Sequence, residues 1–527
     1  VGFIKEQQFE LPEDYDQPHL IEQLATDFSL EAGPAKVEKV AIYDTFDWRL
    51  YKKSLVLEGG GHRLRLRQLF DWEISHSLET KVQPVFVWDL PEGELRAYLE
   101  PVIEMRALLR LAQLQTNSTS YRVLNQAEKT VVRLTCEEVR LLDQDGVTLA
   151  TYVRVKPVKG YSKYDKRLVK RLEGLGLSTV AADDVYFKAL ATAGKTSGDY
   201  SSKLEIQLTP AMGAAEATKV ILRFLLGVIK VNEGYIKQDI DTEFLHDFRV
   251  AVRRTRAALT QIRAVFPEEP TQRFKTDFAY IGQFSNRLRD LDVYLLNEHS
   301  YRAMLPAPLD RDIEPLFELL RQKRSEAWQD VINGLNSERY VAIRQDWEMF
   351  LNEPPADAQT ALNAGRPIID LAQERIYKHY RRIVKFGQDI SEDAEEKKLH
   401  ALRIECKTLR YLIEFFASLF PAIEIALLTR QLKKLQDNLG EFNDLCVQQE
   451  YLLSLAAELP GEGPPARRTI LAVGSLIGAL DDKKQQVKGA FAQTFTDFVA
   501  PATQQLVKAL FTCQRKRRPC DNPGFVQ

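Results

Sequence analysis

The chain of 527 residues has no long apolar run. Its greasiest stretch, Val220 to Val231, is interrupted by Arg223 and Lys230. A membrane-spanning helix is therefore not expected. The opening residues VGFIKEQQFE lack a basic segment followed by an apolar core, so no secretory signal is expected. Cysteine is scarce: the five residues form no CxxC pair, which argues against a disulfide scaffold and for a reducing, cytoplasmic setting. The spacing of Cys513 and Cys520 leaves one bridge open. No GxxxxGK[ST] loop is present, and the triple glycine at 59–61 reads as a tight bend before a strand, not a nucleotide cradle. An excess of charge of one sign is missing too. Lys plus Arg number 72 and Asp plus Glu 74, for a net charge of -2. That balance excludes a uniformly basic nucleic-acid coat but not a local basic face. With 45% hydrophobic and 28% charged residues, the chain is expected to fold.

What is present falls into two textures. Up to about residue 208 the pattern is strand-rich. HRLRLRQL at 62–69 alternates in period two, with Arg63, Arg65 and Arg67 on one face and Leu64 and Leu66 on the other. Segments 130–142, 151–158 and 202–210 read as further strands, DQDG at 143–146 as a turn, and Tyr161 to Leu175 as a helix. After a linker at 209–219, helical periodicity runs from 220 to about 510. Loops are expected at 354–359 and 459–467, and residues 511–527 read as a basic, disordered tail. The fold class is multidomain: an α+β half dominated by antiparallel strands, then an all-α half.

The helical half repeats itself. HDFRVAVRRTRAAL at 246–259 aligns with HALRIECKTLRYLI at 400–413, and NRLRDLDVYL at 286–295 with GEFNDLCVQQ at 440–449. Each pair is separated by 154 positions, which predicts two pseudo-symmetric helical bundles. On a helix turning about 100° per residue, His246, Arg249, Arg253 and Arg256 share an arc of roughly 80°. His400, Arg403, Lys407 and Arg410 form the matching stripe. Like charges so placed repel, and either fixed carboxylates or a polyanionic ligand would relieve them. Glu405, Glu414, Asp290 and Asp444 are the carboxylates that could pair with the arginines or fix their orientation. The two histidines either pack and hydrogen-bond or meet the ligand. No nearby Cys or His completes a metal set with them.

HxxRVxxRRxRAxL, LRDLDV and the second-copy HALRIxxKxLRYLIEFF resemble the CHAD domain, a conserved-histidine α-helical family, across about residues 220–510. The resemblance implies a two-fold pseudo-symmetric helical domain whose basic groove binds inorganic polyphosphate. It places His246, Arg249, Arg253, Arg256, His400, Arg403, Lys407 and Arg410 in that groove. Arg254, about 80° round the helix from His246, widens the basic surface, and Arg289 of LRDLDV extends it. The second copy has Asn443 at the position of Arg289, which makes that end less basic.

The first half is similar to the CYTH, or triphosphate tunnel, family. The similarity rests on AIYDTFDWRLYKKSLVLEGGGHRLRLR (41–67), LETKVQP (78–84) and the VKPVKGY and SKLEIQL segments. It implies an eight-stranded β tunnel over about residues 1–208. Arg63, Arg65, Arg67, Lys81, Arg133, Arg154 and Lys156 would bind phosphate in it. A phosphoanhydride hydrolase of this kind also needs carboxylates to hold Mg or Mn, for which Glu6, Glu137, Glu138 and Glu205 are candidates by strand position. The family's ExExK entry signature is degenerate here. Ile4, Glu6 and Gln8 occupy its three positions, and the alternative register of Glu6, Gln8 and Glu10 is no better.

Three functions follow as expectations. The first is polyphosphate binding by the helical half with no cofactor required, the tunnel being a second phosphate site. The second is a Mg- or Mn-dependent triphosphatase in the tunnel, disfavoured by the damaged signature. The third is nucleic-acid binding, for which the stripes lack interleaved aromatics. Association with polyphosphate granules is implied by the helical family alone.

Overall fold

The computed structural model describes residues 6–12, 15–354, 360–390, 396–459 and 463–512. Ile4, the Cys513–Cys520 pair, the tail from 513 and parts of both expected loops lie outside them. The chain divides into two units, Val1–Ser201 and Ser202–Gln527.

The first unit is one antiparallel sheet. Its strands are β1 Gln7–Glu10, β2 Ser29–Thr45, β3 Leu55–Gly60, β4 Arg63–Gln68, β5 Ile74–Glu79, β6 Leu108–Leu124, β7 Thr130–Leu141, β8 Val147–Pro157 and β9 Ser178–Thr179. Helices α1 Gln17–Ala25, α2 Glu94–Ile103, α3 Ser162–Gly174 and α4 Asp184–Thr192 belong to the same unit. The hydrogen-bonded order is β5-β4-β3-β2-β6-β7-β8-β1-β9. The sheet thus has nine strands where the resemblance implied eight, and among the described residues the order runs open from β5 to β9 without closing on itself. It remains compatible with a tunnel-type domain.

Period-two alternation builds it as read. In β7, Val132, Leu134 and Cys136 are fully buried, while Arg133 is exposed. They pack with Leu168 and Leu172 of α3 in one apolar core. The β3–β4 bend turns at Gly61 and His62, both at positive φ (57° and 63°), as a tight two-residue hairpin requires. Gly60 is needed beside it, since a Cβ there would stand 2.2 Å from the Lys39 carbonyl oxygen. Two strand readings need correction. Lys81 lies in the loop after β5, and residues 202–208 form no strand. Their alternation comes from one-sided burial of an extended chain in the second unit, where the buried Leu208 donates its N–H to Ser418 Oγ at 3.1 Å. Glu205 is therefore not on the sheet.

The second unit is helical: α5 Ala214–Ile236, α6 Thr242–Gln261, α7 Glu268–Phe284, α8 Asn286–Leu296, α9 Glu298–Ala303, α10 Leu309–Asp312, α11 Glu314–Asn336, α12 Glu338–Asn352, α13 Ile368–Gln388, α14 Glu396–Phe416, α15 Ala422–Ala456, α16 Pro464–Gly489, α17 Phe491–Phe498 and α18 Pro501–Phe511. Helix α5 opens inside the 209–219 stretch, after Gly213. The starts of α5 and α13, α6 and α14, and α7 and α15 are each 154 residues apart. The repeat is closed by a matched pair of backbone bonds. Ala214 donates to Arg366 and Ile368 to Met212, both at 2.9 Å, and exchanging the two copies exchanges the two bonds. One difference breaks the symmetry: α7 and α8 are separated at Ser285, whereas α15 runs unbroken through the equivalent position, Leu439.

Candidate functional site: a basic groove between the two copies

Helices α6 and α14 pack against each other, so the two stripes meet. Each helix is anchored by the apolar seam beside its cations: Phe248, Val252 and Leu259 on α6 and Leu402, Leu409 and Ile413 on α14 are all buried. His246, Arg253 and Arg254 of α6 and Arg403, Lys407 and Arg410 of α14 line one cavity of about 250 Å³. Tyr411, Glu414, Gln436 and Asp437 complete much of its wall.

The cations are held in place by their neighbours. Glu414 bridges the copies, accepting Arg254 Nη2 at 2.7 Å and Arg410 Nε at 2.7 Å. Arg254 also donates to the Ser202 carbonyl at 3.0 Å. Gln436 donates to the Cys406 carbonyl at 2.7 Å and accepts from Arg410 at 3.4 Å. Arg403 meets Asp444 at 3.4 Å. Of the four carboxylates that the sequence offered, Glu414 and Asp444 meet stripe arginines, whereas Glu405 meets His379 and Arg382 of α13.

They do not neutralise the site. Five cationic side chains line the cavity against the carboxylates of Glu414 and Asp437. Burial first, then the charges of Arg403 and Arg253, push the Lys407 ammonium down to about 8. Burial, with Arg253 adding to it, also lowers Arg403. Arg253 belongs to the other copy, so the repulsion acts across the groove. Burial and like charge thus act together on these cations.

Four of the ten expected groove residues lie elsewhere. Arg249 is the main correction. It stands in the middle of the stripe yet is only 9% exposed. Its guanidinium donates to the Gly282 carbonyl at 3.2 Å and Ser285 Oγ at 3.0 Å. The end of α7 leaves carbonyls without helical partners, and Arg249 caps them. Burial pushes it down to about 10. Its counterpart Arg403 finds no helix end, because α15 is continuous there, and so reaches the groove. Arg256 is exposed outside the cavity lining. Arg289 pairs with Glu243 at 3.7 Å. His400 hydrogen-bonds Asn443 at 2.7 Å, so the sequence difference at 443 ties down the second histidine instead of thinning the groove's charge. Tyr411 of α14 and Gln436 and Asp437 of α15 were missed: Tyr411 lies off the cationic stripe, and α15 contributes no stripe of its own for periodicity to detect.

Charge crowding has a stability consequence. Between its folded value of about 8 and the ordinary lysine value of about 10.5, Lys407 binds fewer protons folded than unfolded. Its contribution to stability therefore rises with pH across that window and is unfavourable below it. Lys407→Met is expected to raise the melting temperature of the free protein at pH 7 by about 2–4 °C, taking roughly 1 kcal/mol for relief of a half-exposed charge in a large domain. The gain should shrink by pH 10, as thermal melts at both pH values would show.

The sheet unit presents a different electrostatic picture. Arg65 pairs with Glu38 at 2.7 Å, Arg67 with Glu58 at 2.6 Å, Arg154 with Glu137 at 3.0 Å and Lys156 with Glu6 at 3.9 Å. Arg63 pairs with Glu79. Arg133 and Lys81 form no ion pair among the described residues. Burial raises Glu137, with Arg154, Glu6, Arg67 and Glu38 also acting on it. Arg67 lies four strand positions away, about 19 Å on a flat sheet, so the sheet curls to gather these charges. A metal does not fit them as they stand: each carboxylate named for metal on the sheet is held by a cation or, for Glu138, by Arg140 and Asn117. Among the described residues no group of three or more His, Cys, Asp or Glu converges as metal ligands. No helix of the described residues is long and apolar enough to cross a membrane.

Comparison with known proteins places the match in the helical unit. Residues 220–453 match the family model of the CHAD domain. Among solved structures, the chain is similar to the CHAD domain from the plant Ricinus communis, at 24% identity over 55% of this chain and 94% of that one, with a TM-score of 0.45. It is also similar to PptA from Streptomyces chartreusis, at 15% identity over 54% of this chain and 100% of that one, with a TM-score of 0.42. No curated protein matches.

Proposed function

Residues 220–453 of this chain are a CHAD domain, and from that premise we propose that the chain binds inorganic polyphosphate in the groove between α6 and α14. The observation that carries the reading is the excess of positive charge gathered from the two copies on one cavity, five cations against Glu414 and Asp437. A linear polyanion supplies the missing counter-charge at regular spacing. Arg253, Arg403 and Arg410 offer planar forks that engage two phosphate oxygens each, and Lys407 acts as a compact point charge. Glu414 orients Arg254 and Arg410 for that contact, and His246 stands at the cavity edge. No cofactor is needed for such binding. Association with polyphosphate granules would follow from it.

Titration of the full chain with defined-length polyphosphate tests the reading. Affinity should fall steeply with salt, as it does for nucleic acids. The plot of log K against log salt should have a slope of about −3 to −4 if four cations each release a counterion. A flat plot would exclude a groove that works by charge.

The sheet unit is proposed as a weak anion site without hydrolysis. Arg63, Arg65, Arg67, Arg154 and Lys156 are each paired with a carboxylate, and its entry signature lacks charge at Gln8. Incubation with tripolyphosphate and Mg or Mn should release no phosphate above background. Release abolished by Glu6→Gln but untouched by groove variants would restore the triphosphatase reading.

A further inference from the structure

Outside the groove, one more cluster holds more cations than carboxylates. Lys378, Arg381, Arg382 and Lys385 sit at i, i+3, i+4 and i+7 on α13, within an arc of about 100°. All four are exposed. Arg382 reaches Glu405 at 3.4 Å, while the other three form no ion pair among the described residues. They flank a cavity of about 850 Å³ that is also walled by Tyr377, Phe511 and the carboxylates of Asp370 and Glu374, the latter paired with Arg366 at 2.8 Å.

The internal repeat tells whether this face comes with the fold. The positions 154 residues earlier, on α5, hold Phe224, Gly227, Val228 and Val231. A duplicated helix with the same packing role therefore needs no cation at any of them. The groove stripes are common to both copies; the α13 face belongs to one. It is thus independent of the polyphosphate reading.

The groove and this cavity also differ in character. The groove is narrow and walled mainly by charged and amide groups, with Tyr411 among them. The α13 cavity is more than three times larger and sets the half-buried ring of Tyr377 beside the cations. A wide pocket with an aromatic wall and adjacent cations fits a ligand that carries both an anionic group and a flat ring. We propose that the outer face of α13 binds a nucleotide unit, its phosphates on Lys378, Arg381 and Lys385 and its base against Tyr377. The unit can come from a free nucleotide or from a single-stranded nucleic acid.

The test is fluorescence polarisation of the full chain with two probes, a fluorescent ATP analogue and a labelled twelve-residue oligo(rA). Arg381→Glu with Lys385→Glu should weaken binding of the probe at least tenfold. The groove variant Arg253→Glu with Arg410→Glu should change it less than twofold. Tyr377→Ala should weaken the base-bearing probe about fivefold or more while leaving competition by inorganic tripolyphosphate unchanged. Binding of the ATP analogue with no gain for the oligonucleotide identifies a free nucleotide. A gain that grows with strand length identifies a strand. The proposal is overturned if neither probe binds, if the groove variant abolishes binding and the α13 variant does not, or if Tyr377→Ala binds both probes as tightly as wild type. The substituted cations are exposed and unpaired, and Lys378→Glu with Lys385→Glu provides a second variant with the same expected loss.

Discussion

Reversing Arg253 and Arg410 to glutamate should lower polyphosphate affinity by about 10²–10⁴-fold. Hydrogen bonds to charged groups contribute roughly 1.5–3 kcal/mol each, so losing one such contact per arginine amounts to about 3–6 kcal/mol, at 1.4 kcal/mol per tenfold. The two residues come from different copies and face the same cavity, so the double variant strips both walls at once. Arg253 is exposed, and its replacement leaves no buried partner behind. Arg410 is bonded to Glu414, so Arg410→Gln serves as the milder companion that keeps a donor beside that carboxylate. Arg311→Glu with Arg430→Glu, at exposed positions outside the groove, should cost less than twofold. Equal losses in the two double variants, measured by calorimetry at one salt concentration, would sink the groove assignment.

The second large effect is on pH. In the free protein Lys407 loses its proton near pH 8. A bound polyanion favours the charged ammonium and returns its pKa toward or above the ordinary value of about 10.4. Binding therefore takes up a proton between the two values, and affinity must fall as pH rises through that interval. The slope approaches tenfold per pH unit in the middle of the window and flattens below pH 7. Calorimetry in two buffers of different ionisation enthalpy at pH 9 should report close to one proton taken up. Lys407→Arg should flatten the profile, because a guanidinium stays charged throughout. A wild-type profile that is flat from pH 7 to 9.5 would show that Lys407 does not meet the ligand.

The repeat made much of the helical unit readable in advance. An offset kept by two separate segments predicted paired bundles and opposed stripes. Helix starts and closing backbone bonds fall at the same offset. Periodicity failed where a local break decided the outcome. Nothing in the spacing of Arg249 distinguishes it from Arg403. One is buried because α7 ends at Phe284, and the other lines the groove because α15 does not end there. Glu414 could be nominated from its charge, but its bridging of Arg254 and Arg410 depends on how α6 and α14 cross. In the sheet, alternation located the basic face of β4 correctly. It could not reveal that Glu38 of β2 and Glu58 of β3 would neutralise Arg65 and Arg67. Residues 202–208 show the converse failure, since a period-two pattern records one-sided burial whether or not a ladder forms.

The most direct test of the central claim is a crystal structure of the full chain soaked with a short polyphosphate and Mg or Mn. The account predicts density along the groove, with phosphate oxygens on Arg253, Arg403, Lys407 and Arg410. Density held instead beside Arg65 and Arg67 of the sheet, with a metal at Glu6 and the groove empty, would contradict it.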